Sequence, residues 1–499
     1  MTVLSAREVI EATGGTLAAG AVAAQFSGIS TDSRGEVAGR LFIALQGPHF
    51  DGHDFVSAAF AGGAAGAVVS KDVGVGDVGA AGGQVRAVIK VRDTLQALWD
   101  IARHIRARFA IPIVAVTGST GKTTTKDMIY CLLRRRFKTL KTEANYNNEI
   151  GLPLTLARLD GTFEAGVVEL GMRALGEIRA LVSIARPDIG VVTNVGVAHM
   201  ELLGSRENIA RAKAELVEAL PLHGAAVLNA DDPFVIGMRD KTRARVITYG
   251  VDRDADLQAS DIRSLGVDGV SARFHYRGRH HEVVIPIPGR HNVYNALAAA
   301  GAAIALDFDL STIADGLRDF VPAPMRMQIS RTDQDVLVIN DAYNANPVSV
   351  KSALETLREL GGGRRKIAVL GDMLELGDLR DEAHMEVGRC VVGFDVDILM
   401  TVGDSARLIA IEAGRAGMQA SRIRHFDEAL DALPALLAGV RPGDAVLVKG
   451  SRAMGMERLA EALVSGSESE SGPGLESGLE SGPGPGSGPA AWPGARRSD

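Results

Sequence analysis

The chain has 499 residues, of which 46% are apolar and 23% charged, and a formal net charge of −7. That length exceeds one ordinary core and points to about three domains, while no apolar run approaches the ~18 to 20 residues of a membrane span. The acidic balance argues against a general nucleic-acid binder, and the two cysteines, Cys131 and Cys390, lie far apart in apolar helical patterns, as buried thiols of a reducing compartment do.

Met1 to Ile10 reads as a capped amphipathic helix without a signal peptide's charged start and cleavage site, so the cytosol is the expected location. Residues 1–110 form an Ala- and Gly-rich first segment. Its most informative stretch, Ile29-Ser-Thr-Asp-Ser-Arg34, is a short strand bracketed by polar turns that leaves Ser33 and Arg34 exposed. An Arg there suits two-pronged grip of a diphosphate, although a plain surface turn explains the same residues.

The central feature is Ile113-Val-Ala-Val-Thr-Gly-Ser-Thr-Gly-Lys-Thr-Thr-Thr125, an apolar strand that breaks at glycines and restarts as a helix. Such a turn points backbone N–H groups at one spot with the helix dipole behind them, which is a phosphate site. Thr117, Gly118, Ser119, Thr120, Gly121, Lys122, Thr123 and Thr124 are the expected ATP-binding residues. Lys122 can reach the β/γ-phosphates, and the Thr123 hydroxyl is placed to ligate Mg²⁺. The general eight-residue phosphate-loop pattern asks for Gly where this chain has Val116, so the loop is a shorter variant. A mere tight turn would account for the glycines but not for Lys122.

From Pro112 to about Leu317 strands and helices alternate, with strands expected at 113–116, 165–170, 189–194, 225–229 and 245–249. Ligands of open α/β sheets gather at the carboxyl ends of strands, which carry Thr117 to Thr123, Glu169, Asn194 to His199 and Asn229 to Asp232. Glu169 closes an apolar strand, where a carboxylate needs a cation, and magnesium is its natural partner. His199 follows a further strand; a satisfied core histidine is the plain alternative. Lys213 falls on the face that Ile209 and Leu216 bury in an expected helix over 205–220, where it can snorkel, shift its pKa or become carbamylated.

Alternating Val and Phe-x-Tyr stretches between about 254 and 288 predict a small antiparallel insertion. In Gly289 to Leu297, Asn292 is expected as an N-cap, whereas Asn295 lies inside the helix and can reach a base edge. Pro322-Ala-Pro324 marks a hinge, after which Arg326 can enter the phosphate crevice if the next domain closes.

Strands at 336–340, 366–370, 398–402 and 445–448, with a helix over 348–360, then describe a Rossmann-like unit without a dinucleotide fingerprint. In Asp341-Ala-Tyr-Asn-Ala-Asn-Pro347, Asp341 can hold an ammonium group, and Asn344 and Asn346 can pair with a carboxylate or amide; an Asx turn and helix cap is the equal alternative. From Ser465 the chain turns to Gly, Pro, Ser and Glu, too poor in apolar residues to order itself. The expected fold is therefore α/β with three domains. These are a small α/β N-terminal domain (1–110), a central P-loop ATPase-like domain with a mostly parallel sheet (111–322) and a C-terminal Rossmann-like domain (323–464), followed by a disordered tail (465–499).

Together, Thr117 to Thr125, Asn145-Tyr-Asn-Asn-Glu-Ile-Gly-Leu-Pro153, Glu169-Leu-Gly-Met172 and Asn194-Val-Gly-Val-Ala-His-Met-Glu201 resemble the Mur ligase family over residues 26 to 460. Asp341 to Pro347 and Val369-Leu-Gly-Asp-Met373 resemble its branch that adds D-alanyl-D-alanine. The resemblance implies an ATP-dependent amide ligase that joins D-alanyl-D-alanine to UDP-N-acetylmuramoyl-tripeptide (UDP-MurNAc-tripeptide) through an acyl phosphate, working as a monomer with two Mg²⁺ ions.

It implies that Ser33 and Arg34 contact the UDP-sugar, that Lys122 and Thr123 hold ATP and Mg²⁺, and that Glu169 and His199 each bind a magnesium. Lys213 matches the family's carbamylated lysine. Asn295 would contact adenine and Arg326 the γ-phosphate, Asn147 and Asn148 would line the nucleotide-peptide site, and Asp341, Asn344 and Asn346 would lie near the dipeptide. Met325 stands where such ligases often have Gly, and the tail after Ser465 matches no family pattern. A sister amide ligase should differ around Asp341 to Pro347; a GTPase switch would carry an Asn-Lys-x-Asp motif, which is absent; a non-catalytic scaffold could lose Glu169, His199 and Lys213, all of which are present.

Overall fold

The computed structural model describes residues 3–73, 86–196 and 200–465, so His199 and the tail after Ser465 lie outside the described residues. The first helix, Ala6–Thr13, begins at a capping box in which the Ser5 side chain accepts from the Glu8 N–H while Glu8 reaches back to the Ser5 N–H. Behind it stands a five-stranded sheet in the order Thr16–Ala19, Ala87–Lys90, Gly66–Val69, Leu41–Ile43 and Ile29–Ser30, parallel except for its first pair. Sequence pattern pointed to its far edge at Ile29–Ser30, but every strand of this sheet is two to four residues long, too short to show a period.

Nine strands form the central sheet, in the order Arg279–Ile285, Val270–Tyr276, Leu257–Ser264, Arg245–Gly250, Ala225–Asn229, Ile189–Val192, Ile113–Thr117, Ala165–Glu169 and Thr139–Lys141. Alternation along the middle strands feeds two cores. Val114, Val116, Val167, Val191 and Val227 face one apolar cluster, and Ile113, Ala115, Val168, Val192 and Leu228 the other. The second cluster also contains Leu4, Phe26, Leu98 and Ile101 of the first segment, so helix Thr94–Ala107 ties the two sheets together. The expected antiparallel insertion exists, but it is continuous with the main sheet: Leu257–Ser264 pairs parallel to Arg245–Gly250, and the hairpin extends that edge.

The third sheet runs Gln328–Arg331, Leu337–Asn340, Ala445–Lys449, Lys366–Gly371, Ile398–Val402 and Ile423–Phe426. Its first strand, antiparallel to the second, follows the hinge directly and was not legible in a polar four-residue stretch. Leu337 and Ile339 belong to the same apolar cluster as Val114 and Val116 of the central sheet. The carboxyl ends of the strands of both sheets carry the residues described next.

Candidate active site

The loop after Ile113–Thr117 requires its glycines. Gly118 has φ +156°, and a Cβ there would lie 1.8 Å from Thr193 Oγ1; Gly121 has φ +77°, and its Cβ would lie 2.3 Å from Asn295 Oδ1. The loop is locked to the end of the neighbouring strand. Asn194 Oδ1 accepts from the Thr120 N–H at 2.9 Å, Asn194 Nδ2 donates to Thr120 Oγ1 at 2.9 Å, and Ser119 Oγ accepts from the Gly196 N–H at 2.8 Å. Helix Lys122–Leu133 then starts with its free N–H groups facing the loop, and Thr124 lies in its first turn.

Lys122 Nζ donates back to the Gly118 carbonyl at 2.9 Å, spanning the loop. Burial lowers its pKa from the ordinary lysine value, with Glu169 opposing and Arg326 adding to the shift. Thr123 Oγ1 donates to Glu169 Oε2 at 2.8 Å, and Asn147 Nδ2 donates to Glu169 Oε1 at 2.8 Å. Glu169 is only 2% exposed, so it is a buried carboxylate held by neutral donors and turned toward the start of the phosphate-loop helix. That donor set, a hydroxyl beside a carboxylate at a phosphate site, fits a hard divalent cation. Thr117 Oγ1 donates to the Leu170 carbonyl at 3.0 Å and closes the strand ends together.

Lys213 sits in helix Arg206–Glu218 and is buried; desolvation, aided by the charge of Lys122, holds its pKa well below the ordinary lysine value. Asn148 accepts from the N–H groups of Ile150 and Gly151, so its side chain caps the short helix Gly151–Leu156. The expected cap at Asn292 is corrected. Helix His291–Ala305 starts two residues earlier than that cap would set, its N-cap is Arg290, and Asn292 lies buried in the first turn, where its Nδ2 donates to the Pro288 carbonyl at 2.7 Å. Asn292 Oδ1 also accepts from Asn295 Nδ2 at 2.9 Å, and Asn295 Oδ1 accepts from Thr125 at 3.3 Å. Asn295 therefore stands against the phosphate-loop helix.

Arg326 follows the hinge, and its guanidinium stacks on the Tyr343 ring at 3.9 Å from the centroid. Beyond it, Asp341 Oδ1 accepts from the Met327 N–H at 3.0 Å, while Asp341 Oδ2 is paired with the buried Lys449. The ammonium that Asp341 holds is thus one of the chain's own. Asn346 is the N-cap of helix Pro347–Gly361, in a capping box with Ser349, and Asn344 is exposed on the turn before it, with its Oδ1 accepting from the Ala345 N–H. Ser33 and Arg34 lie on the turn after Ile29–Ser30, where Arg34 grips Asp32 through two bonds of 3.0 Å. These bonds are local to the first segment.

Sequence reading passed over Lys449, Lys126 and Tyr343. Lys449 ends the buried run Ala445-Val-Leu-Val, the same signal that singled out Glu169. Lys126 is 2% exposed and donates to the Thr142 carbonyl at 2.8 Å, while Thr142 Oγ1 accepts from the Glu169 N–H at 3.2 Å.

Comparison with known proteins assigns this architecture. The Mur ligase family catalytic domain matches residues 25–106, the Mur ligase middle domain residues 116–303 and the Mur ligase glutamate ligase domain residues 325–452. A Bacillus subtilis UDP-N-acetylmuramoyl-tripeptide–D-alanyl-D-alanine ligase is 38% identical over 437 residues, covering 88% of this chain and 93% of the relative. The chain belongs to the MurF branch of the Mur ligase family. Among solved structures, MurF from Acinetobacter baumannii is similar to this Mur ligase with a TM-score of 0.83 and 31% identity, over 93% of this chain and 99% of that one. A Thermotoga maritima MurF ligase in complex with ADP is similar with a TM-score of 0.77 and 27% identity, over 89% and 98% of the two chains. A Mur ligase uses ATP.

Proposed function

We propose that this Mur ligase joins D-alanyl-D-alanine to UDP-MurNAc-tripeptide at the expense of ATP, giving the pentapeptide, ADP and phosphate. The observation that carries the reading is the Thr123–Glu169–Asn147 cluster at the head of the phosphate loop, beside Lys122 and Arg326, in a chain whose curated relatives bear that ligase name. A terminal carboxylate of the tripeptide attacks the γ-phosphorus, forming an acyl phosphate and releasing ADP. The free amine of the dipeptide then attacks the carbonyl carbon, and phosphate leaves with the oxygen that made the attack.

The first step brings two anions together, carboxylate and polyphosphate, and the second expels phosphate, so cationic groups must neutralise and align them. Lys122 holds the β/γ-phosphates through the loop it spans, and Arg326 reaches the γ-phosphate from across the hinge. Thr123 and Glu169 would hold one Mg²⁺, with His199 and a carbamylated Lys213 serving a second; when bound, the ions supply charge neutralisation between carboxylate and polyphosphate. The depressed pKa of Lys213 favours the neutral amine, which is the form that CO₂ modifies. Asn295 contacts the adenine, Asn147 and Asn148 line the nucleotide-peptide site, and Ser33 and Arg34 take the UDP-sugar once Arg34 exchanges Asp32 for a diphosphate. Asn344 and Asn346 lie beside the dipeptide, and Asp341 supports the segment that carries them.

The three units, 1–110, 111–322 and 323–464, divide the work between UDP-substrate, ATP and dipeptide, and a monomer suffices. Cytoplasmic work follows from substrates that are a nucleotide-linked precursor and ATP, and no helix among the described residues is long and apolar enough to cross a membrane. Phosphate release from Mg-ATP tests the reading, with tripeptides carrying diaminopimelate or lysine and with the dipeptide present or omitted. Release that needs both peptide substrates supports it; release with single amino acids in place of the dipeptide would move the chain to a sister ligase.

A further inference from the structure

The hinge residues around Arg326 are held in a conformation that side chains resist. Met325 and Met327 have φ of +59° and +50°, two left-handed residues flanking one arginine. Such a segment persists only where its surroundings over-determine it. Here three contacts do so. The Tyr343 N–H donates to the Met325 carbonyl at 3.2 Å, Asp341 Oδ1 accepts from the Met327 N–H at 3.0 Å, and the Tyr343 ring lies under the Arg326 guanidinium at 3.9 Å.

Asp341 is itself fixed from behind. The Lys449 ammonium, on a side chain 2% exposed, pairs with Asp341 Oδ2 and donates to the Asn344 carbonyl at 2.9 Å. Lys449 through Asp341 on Met327, and Tyr343 on Met325 and Arg326, thus hold the hinge from two sides, and Arg326 is near enough to Lys122 to act on its charge. We propose that Tyr343, Asp341 and Lys449 are positioning residues that set the left-handed hinge and aim Arg326 into the phosphate crevice, with the Tyr343 ring face as the element in direct contact with the guanidinium. This rests on the reading of Arg326 as a γ-phosphate contact and adds what places it there. A guanidinium lying over a ring face keeps the N–H groups in its own plane free for an anion, so the ring orients the arginine without competing for its donors.

The test is a double-mutant cycle on the full-length enzyme, with Tyr343→Leu, Arg326→Ala and the pair, measured as kcat and as KM for ATP and for D-alanyl-D-alanine. Tyr343→Leu should lower kcat by about tenfold, and adding it to Arg326→Ala should cause no further loss, because the group it aims is gone. Tyr343→Phe, which keeps the ring face, should restore kcat to within about twofold of the parent. Lys449→Met should lower kcat in the same sense as Tyr343→Leu and be equally silent in the Arg326→Ala background. Losses that multiply in the double variant, or a rise confined to the dipeptide KM, would overturn the proposal and make Tyr343 a substrate contact or a packing residue. An Arg326→Ala enzyme with parental kcat would instead remove the γ-phosphate reading itself, a separate and recognisable failure.

Discussion

Thr123 Oγ1 donates to Glu169 Oε2 across 2.8 Å, joining the first turn of the phosphate-loop helix to the end of the adjacent strand. On the proposed function, this hydroxyl and carboxylate together would hold one Mg²⁺. Glu169→Gln keeps the shape and a hydrogen-bonding side chain but removes the charge. It should lower kcat by about 100-fold and raise the Mg²⁺ concentration needed for half-maximal rate, with little change in thermal unfolding. Steady-state assays over a Mg²⁺ series, beside a thermal melt, check this.

Lys213 should respond to CO₂. Carbamylation forms an N–C bond between the neutral amine and CO₂ with loss of a proton, so the modified fraction should fall as pH drops through the depressed pKa of Lys213. Enzyme prepared without CO₂ should regain rate on adding bicarbonate and show a carbamate carbon by ¹³C NMR with labelled bicarbonate. Lys213→Ala should show neither response.

Burial pushes the His291 pKa from 6.5 down to about 4, and Asn292 donates to its Nε2, which fits a neutral ring. Below pH 6.5 the unfolded chain takes up a proton that the folded chain refuses until about pH 4. The contribution is therefore neutral above pH 6.5 and becomes increasingly destabilising as pH falls across that window. His291→Gln should flatten the stability profile between those limits, as read by urea unfolding at several pH values.

Met325 occupies a left-handed position where glycine has no steric penalty. Met325→Gly should relieve ~1–2 kcal/mol of backbone strain, partly offset by the greater freedom of glycine in the unfolded chain. The expected net gain is about 0.5 to 1 kcal/mol, measurable by urea unfolding.

What the sequence disclosed and what it hid follow from one distinction. Long apolar strands such as Ala225–Asn229 and Ile398–Val402 were legible to the residue, because a strand buried on both faces writes a continuous apolar run. The N-terminal strands Leu41–Ile43 and Gly66–Val69 were not, being only three and four residues long, nor was the edge strand Gln328–Arg331, which is short and partly polar. Glu169 drew notice as an acid closing such a run, where a cation was expected; the structure shows its side chain held by the neutral donors Thr123 and Asn147. The partner of Asp341 was hidden, since Lys449 lies 108 residues away in sequence and only the third sheet brings them together. Asn292 misled because Asn favours N-caps locally, whereas here burial and the Pro288 and Asn295 bonds placed it inside the helix.

The most direct test of the ligase account follows an oxygen atom. Tripeptide substrate with both oxygens of its terminal carboxylate labelled with ¹⁸O is turned over with ATP and D-alanyl-D-alanine, and the phosphate and pentapeptide are weighed by mass spectrometry. Attack of the carboxylate on the γ-phosphorus predicts one ¹⁸O in every released phosphate and one retained in the new amide. Unlabelled phosphate, with both labels left on the tripeptide, would contradict it.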